Sequence, residues 1–241
     1  MRAKINRNVQ AALADQQLQK NLRSTLGKSV RMRDESVGEV PNWEQLTRYA
    51  RDVKIQTLSR LDHYLEMLEQ NVTAQGGKVI WAETGQDAVQ FIVDLARQRK
   101  IGKLVKSKSM LSEEIHLNSM LERAQIESIE TDLGEYIVQL AGETPSHLLA
   151  PALHKSRQEI ADLFVRELGM EPSDDVGDIT STARRILREH FLTARMGLTG
   201  VNFGVAETGT IVIVENEGNA RLSASVPQIH VALMGIEKVI P

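Results

Sequence analysis

The chain has 241 residues, enough for one large domain or a domain with an appendage. Apolar residues make up 41% and aromatics only 4%, so the core must be built mainly from Leu, Ile, Val, Ala and Met. A net charge of −3 gives no global basic field for nucleic acid or an anionic membrane, and the absence of cysteine excludes disulfides, a Cys nucleophile and Cys-bound zinc or iron–sulfur clusters within this chain. No run approaches the roughly 20 apolar residues of a membrane span, and the N-terminus lacks the apolar stretch of a secretory signal. The expected location is the cytoplasm.

The first third reads as helical. Ile5, Val9 and Leu13, then Leu18, Leu22 and Leu26, recur at helical spacing, and a polar break is expected over residues 31–41. Asn42 is placed to N-cap a long helix carrying Leu46, Ala50, Val53, Thr57, Leu61, Leu65 and Leu68 on one stripe, which Gly76 and Gly77 end. From Lys78 the rhythm becomes α/β. Short apolar runs at 79–82, 104–105, 128–129 and 147–150 predict strands, and helices are predicted at 87–99, 112–124, 156–168 and 178–193. That alternation predicts a largely parallel sheet with covering helices. Residues 203–206 and 210–214 predict a hairpin whose second strand is buried, and 229–234 predicts one more strand. The closing residues are mostly apolar, from which the chain is expected to stop before its parent protein is complete.

The densest chemistry lies in residues 200–221. Asn202, Glu207, Thr208, Thr210, Glu215, Asn216, Asn219 and Arg221 crowd the two ends of the apolar run 211–214, with Gly209 and Gly218 allowing close backbone approach. Arg221 is suited to a bidentate carboxylate clamp, and Glu207 or Glu215 to acid–base work, while ordinary turns favour the same residue types. Lys106, Ser107, Lys108 and Ser109 follow a predicted strand and suit an anion at a helix start, or form a solvated basic turn. His154 and Arg157 occupy another strand-to-helix junction, where His154 can change charge near neutral pH. Asp132 and Glu135 can orient polar groups, or serve as an N-cap and an acidic first turn. No G-x-G-x-x-G follows a strand, and no G-x-x-x-x-G-K-[ST], G-x-S-x-G or H-E-x-x-H motif occurs, so no metal ligand set is predicted.

Four segments carry a resemblance: K-S-K-S-M-L-S-E-E-I-H-L-N, I-E-T-D-L-G-E-Y-I-V-Q-L, P-S-H-L-L-A-P-A-L-H-K-S-R and G-L-T-G-V-N-F-G-V-A-E-T-G-T-I-V-I-V-E-N-E-G-N-A-R-L. Together, in this order, they resemble the lactate-utilisation (LUD) domain family, and within it the iron–sulfur subunits of bacterial L-lactate utilisation systems. The resemblance implies a Rossmann-like open sheet similar to the NagB/RpiA/CoA-transferase fold. A helical extension over residues 1–75 would precede a LUD domain over 76–241. It further implies a part in oxidising L-lactate to pyruvate alongside sister subunits, with a small carboxylate as ligand. In that family a ferredoxin-like region with 4Fe-4S clusters follows this domain; it is expected beyond residue 241, and this fragment is not expected to be active alone. Two other roles stay open: a non-catalytic assembly module, and a CoA-transferase-like enzyme using Glu215.

The resulting expectation is a pocket at the C-terminal edge of the sheet. Lys106, Ser107, Lys108, Ser109, Asp132, Glu135, Arg157, Asn202, Thr208, Gly209, Thr210, Asn216, Gly218, Asn219 and Arg221 are expected to bind substrate, with Glu207, His154 and Glu215 as acid–base or nucleophilic candidates.

Overall fold

The computed structural model describes residues 9–241 except 11, 144 and 146–149, so Ile5 and most of the strand expected at 147–150 lie outside the described residues. The chain divides into two compact units. One comprises residues 1–47 with 137–179, the other 48–136 with 180–241.

In the first unit, α1 (Gln16–Gly38) starts at Asp15, whose Oδ1 accepts the Leu18 N–H at 2.9 Å. The break expected from residue 31 is absent. Arg31 to Glu35 are adequate helix formers, and nothing interrupts them before Gly38. Ser156 and Glu159 form a reciprocal capping box at the start of α8 (Arg157–Leu168), and Gly169 ends that helix in the left-handed region at φ 63°. Ala161, Leu163 and Phe164 form its buried face.

The long helix expected after Asn42 is two helices, α2 (Trp43–Ser59) and α3 (Leu61–Ala74), because Arg60 leaves helical geometry at φ −134° and ψ 41°. A second expected helix also splits. His116 adopts φ 56° and separates α5 (Met110–Glu114) from α6 (Leu117–Arg123). The run 79–82 forms no strand. It has no ladder partner in either sheet, and Ile80 and Trp81 are half exposed.

The second unit is organised on a four-stranded parallel sheet of order β2-β1-β3-β6, with β1 (Lys103–Lys106), β2 (Glu127–Glu130), β3 (Met196–Gly200) and β6 (Ile229–Leu233). This is a Rossmann-like open sheet. Leu104, Met196 and Leu198 pack with Val89, Ile92, Val93 and Ala96 of α4 (Gly85–Gln98) and with Leu117 and Leu121 of α6. Each such buried aliphatic side chain contributes ~1.5–3 kcal/mol. Strand β3, M-G-L-T-G, has no sequence signature of a strand, yet it is central. Its Gly197 is required by a close approach: a Cβ there would lie 1.8 Å from the Ser223 carbonyl oxygen of α10 (Asn219–Ser225).

A smaller sheet of order β5-β4-β7 contains the expected hairpin, β4 (Phe203–Val205) and β5 (Thr210–Val212), with β7 (Val239–Ile240) on its other edge. The second hairpin strand is not buried. It is an edge strand, with Val212 37% and Val214 71% exposed, and Ile213 and Val214 fall outside it. Tyr64 and Leu68 of α3 pack with Ala206 and Val239 beneath this sheet.

Candidate functional site

All four parallel strands of the larger sheet point their C-terminal ends the same way, which is where open α/β sheets place their ligands. There a cavity of about 680 Å³ opens within the second unit. After β1 it is lined by Ser107, Lys108 and Ser109; after β2 by Asp132; after β3 by Val201 and Asn202; and after β6 by Gly235, Glu237 and Lys238. Ile213, Val214, Glu215, Asn216, Asn219 and Ala220 close another side.

Local bonds fix these loops. Ser107 N–H donates to the Leu198 carbonyl at 2.9 Å, tying the end of β1 to β3. Ser109 Oγ caps α5 by accepting the Ser112 N–H at 3.3 Å. Asp132 Oδ1 accepts the Glu135 N–H at 3.1 Å, and Glu217 accepts the Leu133 N–H at 3.4 Å. Loss of water around Glu217, followed by the charge of Asp132, raises the Glu217 pKa above the ordinary carboxylate range. Asn202 Oδ1 accepts the Val214 N–H at 2.8 Å. Glu215 accepts the Arg221 N–H at 3.0 Å and pairs with the Arg221 guanidinium at 3.4 Å. Lys108 differs from these groups. It is half-buried on the wall, and it has no hydrogen bond or ion pair among the described residues.

The remaining predicted residues fall in three places. Lys106 is the last residue of β1 and fully buried; its Nζ lies 2.9 Å from Glu130 Oε1 and donates to Ser112 Oγ at 3.1 Å. Glu135, in the first turn of α7 (Leu133–Ala141), is also buried. Glu207, Thr208, Gly209 and Thr210 form the β4–β5 turn, which the end of α3 holds. Asn71 Nδ2 donates to the Ala206 carbonyl at 2.7 Å and the Glu207 carbonyl at 3.1 Å, and Gln75 donates to the Thr208 carbonyl. That turn is not among the residues lining the cavity, nor is the side chain of Arg221, which is 78% exposed. Gly218 caps α10 at φ 79°.

His154 and Arg157 belong to the first unit. His154 Nε2 and Lys155 Nζ each lie 2.7 Å from the Glu143 carboxylate, and Arg157 pairs with Asp174 at 3.0 Å. The Lys155 hydrogen bond, then that of His154, holds Glu143 below the ordinary carboxylate range. Sequence reasoning missed Glu130, Ser112, Glu237 and Lys238. A glutamate closing the run E-S-I-E looks like a strand end facing water, and only the register that sets it beside Lys106 gives it a buried role.

The LUD domain profile matches residues 65–241. The chain belongs to the LUD domain family. Among its relatives are lactate utilization protein B 2 of Bacillus mycoides (strain KBAB4) and lactate utilization protein B of Bacillus thuringiensis (strain Al Hakam) and Bacillus cereus (strain AH187). Each is 46% identical over 203 residues, which is 84% of this LUD chain and 43% of the relative. The LUD chain therefore aligns with less than half the length of these relatives. No solved structure matches it. Among the described residues, no helix is long and apolar enough to cross a membrane.

Proposed function

We propose that this chain is the LUD portion of an iron–sulfur protein that takes part in oxidising L-lactate to pyruvate, working with sister subunits in the cytoplasm, and that its cavity holds a small carboxylate. The relatives, lactate utilization proteins, support the metabolic setting. The residues present do not fit a 4Fe-4S cluster. The chain has no cysteine, and among the described residues no group of three or more His, Cys, Asp or Glu side chains is placed to hold a metal. The clusters belong in a part of the parent protein outside this chain.

The observation that carries the site is Lys108. A half-buried ammonium with no hydrogen bond or ion pair among the described residues, on the wall of a cavity at the C-terminal edge of a parallel sheet, is ready to receive an anion. The hydroxyls of Ser107 and Ser109 and the amide of Asn216 share that wall and suit the oxygen on the second carbon of lactate or pyruvate. The acids of Asp132, Glu215 and Glu237 discourage a second carboxylate, which favours a monoacid.

Isothermal titration of lactate and pyruvate into the protein, and into its Lys108→Ala variant, tests this. A charge-assisted hydrogen bond is worth ~1.5–3 kcal/mol, so the variant should bind roughly ten- to a hundredfold more weakly. Equal affinity in the two proteins sinks the assignment.

A further inference from the structure

Beneath the cavity wall lies a cluster of charges that carboxylate binding alone does not explain. Lys106 is 0% exposed, Glu130 3% and Glu135 4%. The parallel register sets Lys106 beside Glu130, and their ion pair is completed by Ser112 Oγ and by Asn118 Nδ2, which donates to Glu130 Oε1 at 2.7 Å. Lys106 is thereby held by two partners, Glu130 and Ser112. Glu135 has no such partner: its Oε1 is buried with no hydrogen bond among the described residues.

Four side chains act on Glu135, each from a different segment: Glu113 from α5, Glu130 from β2, Lys106 from β1 and Lys108 from the loop after β1. Its own turn adds Asp132, which holds its backbone N–H. Two of the four are carboxylates, and of the two cations Lys106 already neutralises Glu130. Both cations favour ionised Glu135, Lys106 more than Lys108, but Lys106 is locked in its buried pair and Lys108 is the one that faces the cavity, where a ligand can reach it. Lys108 thus acts on two acids of the protein, Glu135 and Glu217, and on whatever enters from solvent.

We propose that binding of a carboxylate at Lys108 draws a proton from water onto Glu135, so that this site takes up its ligand together with a proton. The inference rests on the carboxylate reading of the cavity. The ligand's negative charge cancels the pull of Lys108 on Glu135, and the buried acid takes up a proton in compensation. In each molecule whose Glu135 is ionised, one Glu135 O–H bond forms, the proton comes from bulk solvent, no other bond changes, and the net charge of that site is the same before and after. Burial, with Glu113 and Glu130 adding to it, already pushes the Glu135 pKa to about 7. Near neutrality a small change in field at Glu135 therefore moves charge.

The test follows the Glu135 side-chain carboxyl by carbon NMR in glutamate-labelled protein, with Glu135→Gln assigning the resonance, and Glu135→Asp doing so if that variant does not fold. The Glu135 midpoint should lie near 7 in the free protein. It should move upward in Lys108→Ala, and upward on adding pyruvate to the wild type but not to the variant. Titration calorimetry of pyruvate in two buffers of different ionisation enthalpy should show proton uptake near neutral pH, and none in Lys108→Ala. A midpoint in the ordinary carboxylate range, or one that ignores Lys108→Ala, overturns the proposal. Pyruvate binding without proton uptake overturns the coupling and leaves the carboxylate reading standing. Failure of both lactate and pyruvate to bind overturns that reading and the coupling with it.

Discussion

Glu135 and Lys106 show how burial changes what a side chain can do. An acid whose pKa rises from 4.5 to about 7 on folding binds protons more tightly in the native state than in the unfolded one. Its contribution is neutral below the unfolded value. Stability then falls as pH rises through that window and levels off above about 7. The full loss is about 3 kcal/mol. Glu135→Gln should flatten this part of the pH dependence and be more stable than the wild type at mildly alkaline pH, as urea midpoints at several pH values will show. Lys106 poses the opposite problem. Lys106→Met leaves Glu130 buried without its cation and should cost about 3–5 kcal/mol in the same assay. Both positions were legible in sequence as polar residues near strand ends. Their burial was not, because K-L-V-K and E-S-I-E look alike whether their ends face water or one another.

At the scale of elements, local rules accounted for what is local. Capping residues, the helix at 85–98 and the strands at 103–106 and 127–130 follow from neighbouring residues alone. The central strand 196–200 does not. Two glycines and a threonine lower its intrinsic preference, and it is a strand because strands on both sides and a helix above require a thin backbone there. Gly197→Ala should accordingly lose about 3 kcal/mol or more, since neither the strand nor the Ser223 carbonyl can move aside without breaking the sheet or α10. A thermal melt of that variant checks this. Gly200→Ala serves as a milder comparison, for its added Cβ would meet the Ser109 side chain at 3.0 Å. The polar run 200–221 divides along the same line. Its Glu207–Thr210 portion is turn chemistry clamped by Asn71 and Gln75, while Asn202, Glu215, Asn216 and Asn219 line the cavity. Residue types alone did not separate the two groups, since Thr, Asn, Glu and Gly are favoured by turns and by binding sites alike.

For the molecule as a whole, the parallel sheet was expected from the α/β rhythm, and the family from four ordered motifs that now match the LUD domain over residues 65–241. The order of strands was not legible, because β1 pairs with β3 across a gap of some ninety residues that no local pattern spans. That long closure makes alignment the difficult step in assembling the sheet.

The Lys106–Glu130 pair bears on this step in a way separate from its place beneath the cavity. In the native alignment Glu130 Oε1 meets both Lys106 Nζ and Asn118 Nδ2, and Lys106 also donates to Ser112 Oγ. If β2 slips by one residue, Glu130 turns to the opposite face and Lys106 is left buried with no counter-charge. The pair thus works as a proofreader, penalising a misaligned sheet far more than it stabilises the correct one. Replacing both residues with methionine should recover most of the stability lost in Lys106→Met, yet broaden the amide exchange of β1 and β2 into more than one population. A single, native-like exchange pattern in the double variant would show that the alignment is kept by other contacts.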